Sequence, residues 1–134
     1  MIYLAAPYSA RDPAVEQQRY DAVCRAAATL MRRGMEIFSP ISHSHGIARY
    51  GLPTDWAFWR RYDRAFLAWC DELWVLKLSG WESSVGVQAE MAIAREMGKP
   101  VRLVDPACLS GRQVELTTEN TPARAGASHE EVKA

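Results

Sequence analysis

The apolar residues of the chain come either as short unbroken runs or at intervals of three and four, and the two patterns alternate. Met1 to Ala6 (MIYLAA) is apolar throughout and stops at the turn-like cluster Pro7-Tyr8-Ser9. A run that is apolar on both faces is the pattern of a strand buried inside a sheet. Asp12-Pro13 supplies an N-cap and a first helical residue, and Val15, Val23, Ala26, Ala27, Leu30 and Met31 continue at helical spacing. Arg32, Arg33 and then Gly34 close this helix, since cations suit the last turn and glycine accepts the left-handed conformation beyond it. Met35 to Phe38 (MEIF), Glu72 to Leu78 (ELWVLKL) and Pro100 to Val104 (PVRLV) predict further strands. Trp56 to Cys70, capped by Thr54 or Asp55, and Val85 to Met97, ended by Gly98, predict further helices. The stretch Ile41 to Asp55 (ISHSHGIARYGLPTD) has no clear period and is expected to be a long loop, a kind of connection that is often functional.

Strands alternating with helices imply an α/β domain, a parallel sheet with helices on both faces. Right-handed crossovers leave few topologies, and a small doubly wound, flavodoxin-like or Rossmann-like sheet of order 2-1-3-4 is expected. Such sheets bind ligands beyond the C-terminal strand ends, at the switch point between the first and third strands. That singles out Pro7 to Arg11 and Ser79 to Gly86, with the loop after the second strand able to close over them. The domain is expected over residues 1–105. Residues 106–134 are small and polar with no sustained period and are expected to form a disordered tail.

Composition narrows the function. Lys plus Arg is 16 and Asp plus Glu is 16, a formal net charge of zero. No broad basic field exists to hold a nucleic-acid backbone, whereas a small anion needs only a local site. Cys24, Cys70 and Cys108 form no C-x-x-C pair, so neither a disulfide framework nor a zinc site is indicated. No apolar run approaches the ~20 residues of a membrane helix, and MIYLAAPYSARD lacks the features of a signal peptide. A cytoplasmic chain without a membrane partner is expected.

Candidate chemistry concentrates in SSVGVQAE. Ser84 can cap the following helix, Gly86 lets a ligand approach the backbone, and the free N–H groups through Val87 suit a phosphate. The same pattern also fits an ordinary capped helix. Val87, Glu90, Met91, Ala94 and Met97 share one helical face, so a carboxylate sits among apolar residues. A buried charge is costly unless paired or used, which makes Glu90 a functional candidate. Asp63 lies mid-helix and pairs with Arg60 or Arg64 if it is merely solvated. Arg11 can neutralise a phosphate, alongside Tyr8 and Ser9 in the first loop. His43 and His45, with Ser42, are expected to contact a substrate base or sugar; no cysteine or carboxylate stands at ligand spacing to make them a metal site.

These residues resemble the nucleoside 2-deoxyribosyltransferase superfamily, most nearly its small members that hydrolyse nucleoside 5′-monophosphates and a related group of short bacterial and phage proteins. The resemblance spans about residues 1 to 104. It rests on IYLAAPYSAR, on Asp63 ahead of Asp71, and above all on Ser84-x-Gly86-Val87-x-x-Glu90. It implies that Glu90 acts at C1′ of the sugar, that Asp63 orients the nucleophile or handles the leaving base, that Tyr3 assists the carboxylate, and that Ser84 and Gly86 hold the 5′-phosphate. Pro7-Tyr8-Ser9 departs from the glycine-containing first loop usual in those hydrolases. The expected activity is hydrolysis of the N-glycosidic bond of a nucleoside or deoxynucleoside 5′-monophosphate, with no metal or organic cofactor. Base exchange on a deoxynucleoside, and a nucleotide-binding or sensor module without turnover, are the alternatives. A homodimer or larger assembly is expected from the aromatic helix Trp56 to Trp69.

Overall fold

Strand β1 (Ile2–Ala5) lies between β2 (Ile37–Phe38) and β3 (Glu72–Leu76), and β4 (Val101–Val104) flanks β3; all four run parallel. The computed structural model describes the backbone of residues 1–110, 113–118 and 129–133, and the side chains of residues 1–109. Its parallel order is β2-β1-β3-β4, the doubly wound order expected from the alternation of elements. Helix α1 (Pro13–Arg32) connects β1 to β2, while α2 (Pro40–Ala48) and α3 (Trp56–Trp69) precede β3 and α4 (Val85–Glu96) precedes β4.

The unbroken apolar runs are explained by two buried faces. Leu4, Trp74, Leu76 and Val104 pack under Val23, Ala26, Ala27 and Leu30 of α1. Tyr3, Ala5, Leu73, Val75 and Val101 pack under Leu67 of α3 and Val87, Met91 and Ala94 of α4. Alternate residues of β1 therefore point to opposite layers, and Tyr3 is directed toward the α4 side. The caps follow local chemistry: Asp12 accepts from Ala14 N, Asp55 (not Thr54) from Phe58 N, and Ser84 from Val87 N. Gly34 and Gly98 take positive φ, 88° and 71°, at the ends of α1 and α4.

Two expectations change. Ile41 to Asp55 is not all loop, because Pro40–Ala48 is helical and capped by Ser39, whose Oγ accepts from Ser42 N at 3.2 Å. The Ser39-Pro40 pair is the same cap-and-proline signal as Asp12-Pro13, but Ser-His-Ser-His-Gly offers little apolar period behind it. The stretch 106–134, expected as a disordered tail, contains a 3₁₀ turn at Pro106–Ser110 and two antiparallel strands, β5 (Gln113–Thr118) and β6 (His129–Lys133). Pairing with β5 satisfies the backbone groups that β4 would otherwise leave as an open edge. The remainder of that expectation falls on residues 111–112, 119–128 and 134, which lie outside the described residues. Among the described residues, no helix is long and apolar enough to cross a membrane.

The turn from α3 to β3 depends on one distant side chain. Lys99 Nζ donates to the carbonyls of Leu67, Ala68 and Cys70 at the C-terminal end of α3, where the Leu67 carbonyl also accepts from Cys70 N. Bonds from a cation to helix-end carbonyls are favoured by both hydrogen bonding and the helix dipole. Lys99→Met should cost about 2 kcal/mol, read as a lowered denaturant midpoint with an unchanged slope. An unaltered midpoint would show that solvent substitutes freely for Lys99.

Candidate active site

A cavity of about 600 Å³ opens at the C-terminal strand ends, a volume suited to a small organic ligand. Its floor is the end of β1, Ala5 to Ser9. Helix α2 contributes Ile41, Ser44 and His45 to its wall; the start of α3 contributes Trp56, Trp59 and Asp63; and the loop into α4 contributes Gly80 and Ser83 to Gly86. Glu90, Arg19, Thr54 and Asp55 also line it. This is the switch point between β1 and β3, where crossovers diverge to opposite faces and leave a crevice.

Glu90 is buried, at 5% exposure, on the face of α4 that meets the sheet. A β-carbon added at Gly86 would lie 3.9 Å from Glu90 Oε1 and 3.8 Å from Trp56. Glycine there leaves open the space above the carboxyl, where a ligand atom can approach. Burial and the neighbouring charge of Asp63 push the Glu90 carboxyl up to about 8, against an opposing pull from the Tyr3 phenol. Burial also raises Asp63 to about 7. Tyr3 rises well above the usual phenol range through burial and then Glu90. Tyr3 Oη and Glu90 Oε2 are buried atoms without a hydrogen-bond partner of normal geometry among the described residues. Tyr3 nonetheless stands close enough to Glu90 for each to act on the other's ionisation. Asp63 is not held by the arginines near it in sequence: Arg64 pairs with Glu96 at 3.4 Å.

The cation in this cavity is Arg19, not Arg11. Arg11 is exposed and absent from the lining, whereas Arg19 is half-buried on the inward stripe of α1. Its Nη1 donates to the carbonyls of Tyr8 and Ser9 at 3.2 and 2.9 Å, and its Nη2 lies 3.3 Å from the place where a β-carbon on Gly80 would stand. The guanidinium thus bridges the two loops that flank the switch point. Gly80 has φ +90°, so a side chain there would strain the backbone and displace Arg19. Sequence reasoning missed Arg19 although Arg19 stands four residues before Val23, on the stripe that carries the core of α1.

Glu16 ties the rim together. Its Oε2 accepts from Ala10 N at 3.3 Å and Thr54 Oγ1 at 3.0 Å, and Ser9 Oγ donates to Thr54 O. Ser84 Oγ accepts from Val87 N at 3.3 Å, so Val87 N is already used within α4. Ser84, Val85 and Gly86, at the start of α4, line the cavity with Arg19. Val87 itself is wholly buried.

The histidine pair separates. On a helix, residues two apart point to opposite sides. His45 lines the cavity; His43 packs against Phe38 and Phe66 with centroids at 6.2 and 5.5 Å. Ser42 turns inward to Cys24 Sγ and Ser39 Oγ at 3.2 and 2.8 Å. Of the residues expected to bind substrate, Tyr8, Ser9, His45, Asp63, Ser84, Gly86 and Glu90 meet in one cavity, while Tyr3 lies behind Glu90. Arg11, Ser42, His43 and Val87 do not line it. Among the described residues, no three His, Cys, Asp or Glu side chains are grouped to hold a metal ion.

The fold and cavity define an α/β protein with a ligand-sized crevice at the switch point, holding a buried glutamate and a half-buried aspartate. The chain belongs to the family described as a domain of unknown function (DUF1937), whose model matches residues 1–105. No curated protein matches the chain.

Proposed function

We propose that this cavity is the active site of a hydrolase that cleaves the N-glycosidic bond of a nucleoside or deoxynucleoside 5′-monophosphate. The observation that carries the reading is Glu90, a buried carboxyl on a cavity wall with Asp63 for company and a cation at the same mouth. Burying Glu90 with half-buried Asp63 near it is destabilising, and a site that must meet positive charge is a reason to keep them. Breaking the bond from C1′ to the base nitrogen sends the electron pair to the base and leaves oxocarbenium-like charge on C1′. Glu90 stabilises that charge, either directing water to C1′ or forming the sugar ester that water then opens. Asp63 supplies the proton for the departing nitrogen. Tyr3 donates to the Glu90 oxygen that faces away from the ligand and keeps it ionised during the step. Arg19, the Ser84 hydroxyl and the first free N–H groups of α4 hold the phosphate.

Trp69 remains 72% exposed on α3, which supports the expected assembly of the chain as a homodimer or larger oligomer. The function is tested with a panel of ribo- and deoxynucleoside 5′-monophosphates, following free base by chromatography. Release of base with a matching yield of sugar phosphate is the expected result; binding without release would instead favour the sensor module. Within that panel Arg19→Met should raise KM for 5′-monophosphates by about tenfold or more, as befits a lost charge-assisted contact. The parent nucleosides should be affected less, only through the loop that Arg19 also holds, and an equal effect on both would remove the phosphate from Arg19.

A further inference from the structure

A second polar wall of the cavity has a direction that is readable from its outer end. Gln17 Nε2 donates to Asp21 Oδ1 at 3.1 Å. Turning the amide over would set its oxygen against that carboxylate, so the contact decides which atom faces the other way. Gln17 Oε1 faces His45 Nε2 at 3.1 Å. An amide oxygen only accepts, so Nε2 carries the imidazole hydrogen. In the neutral ring Nδ1 is then bare, and it accepts from the hydroxyl of Tyr8 at 2.7 Å. The ring is held in this orientation by Tyr20, stacked on it at 4.1 Å and 19°, and by Tyr8 at its edge. Burial and Glu16 keep the phenol protonated, pushing it up to about 12. Its one proton is committed to His45. Tyr8 and His45 both line the cavity, so what Tyr8 Oη offers a ligand is lone pairs alone.

We propose that Tyr8 Oη is an acceptor-only contact that selects ligands bearing an N–H or O–H donor, oriented through His45 on the cavity wall by Gln17 and Asp21 behind it. The kind of ligand rests on the nucleotide reading above, in which the donor is an exocyclic amine of the base or a hydroxyl of the sugar. The assignment removes Tyr8 from the phosphate cradle, because lone pairs repel an anion. It leaves the phosphate to Arg19 and the start of α4. Asp21, Gln17 and His45 act through Tyr8 and are positioning residues.

The orientation is tested without any ligand. Long-range proton–nitrogen NMR spectra of the full chain, at mildly alkaline pH, should show His45 with its proton on Nε2 and a bare Nδ1. A proton on Nδ1 overturns the proposal. Recognition is tested by calorimetry on the Glu90→Gln protein, where turnover does not interfere. One arm compares adenosine and cytidine 5′-monophosphates with analogues lacking the exocyclic amine; the other compares each with its 2′-deoxy and 2′,3′-dideoxy forms. One arm should show roughly tenfold tighter binding of the donor-bearing member, since an unmatched acceptor loses a hydrogen bond on binding. Tyr8→Phe should abolish that preference while binding persists, and Gln17→Met should weaken it. A preference that survives Tyr8→Phe, or none in either arm, overturns the proposal. Discrimination in binding without base release from the unmodified protein would overturn the hydrolase reading and leave this one standing. Failure of every nucleotide to bind overturns both the nucleotide reading and this use of Tyr8.

Discussion

Glu90→Gln is expected to lower base release from the best nucleotide at least about 100-fold while nucleotide binding survives, a loss of roughly 3 kcal/mol of transition-state stabilisation. Gln keeps the volume of the side chain on the inward face of α4 and removes only the charge that meets C1′. The same change should raise the melting temperature, increasingly so toward alkaline pH. The buried carboxyl has its pKa near 8, against 4.5 as its ordinary value. The folded state therefore holds this proton more tightly than the unfolded chain does. Stability linked to Glu90 is whole below about pH 4.5 and is lost as pH rises through about 8. Gln carries no such cost at any pH. Base release and thermal melting should be measured on one preparation across that range. Near-normal turnover in a folded Glu90→Gln protein would remove the centre of the hydrolase reading and favour a binding module. A lowered melting temperature would mean that the carboxylate is paired for structure.

The parts of the fold that were legible in the sequence are those in which one face settles the matter. β1 and β3 are buried on both sides, so every residue from Ile2 to Ala5 and from Leu73 to Leu76 is apolar or aromatic, and such runs stand out. Glu90 was legible for the converse reason, as the one charge on a stripe of Val87, Met91 and Ala94. Helix α2 was not, because its stability comes from a cap and from packing of a few residues, not from a repeated apolar stripe. That omission also hid the divergence of His43 from His45. Arg19 was missed because a long cation beside a core stripe reads as a snorkelling surface residue. Its role depends on two carbonyls of the preceding loop and on Gly80, which is far away in sequence. β5 carries a period-two signal in Gln113-Val114-Glu115-Leu116, yet it is short and set in polar surroundings, and the strand exists by pairing with β4.

Asp63→Asn should lower base release about 100-fold or more for ordinary nucleotides, the usual contribution of a positioned general acid, and should also change the shape of the pH profile. Asp63 and Glu90 titrate near 7 and 8 and each sits in reach of the other, so the values belong to the pair. Catalysis needs one proton on the pair, available to the leaving base, and one negative charge, available to C1′. The unmodified protein should therefore show a bell-shaped kcat/KM with its maximum in the region of these two values. Asn cannot lose a proton, so the alkaline fall should vanish. On the acidic side both carboxyls are protonated and the charge that raises Glu90 is absent, so an acidic limb, now set by Glu90 alone, should persist. A substrate whose base leaves without a proton separates acid catalysis from mere damage to the site. 7-Methylguanosine 5′-monophosphate carries its positive charge already, and its cleavage by Asp63→Asn should stay within about tenfold of the unmodified rate, since only the proton-transfer contribution is lost. If both substrates slow equally, or the alkaline fall persists, Asp63 is not the proton donor and its place near Glu90 serves only to shape the cavity.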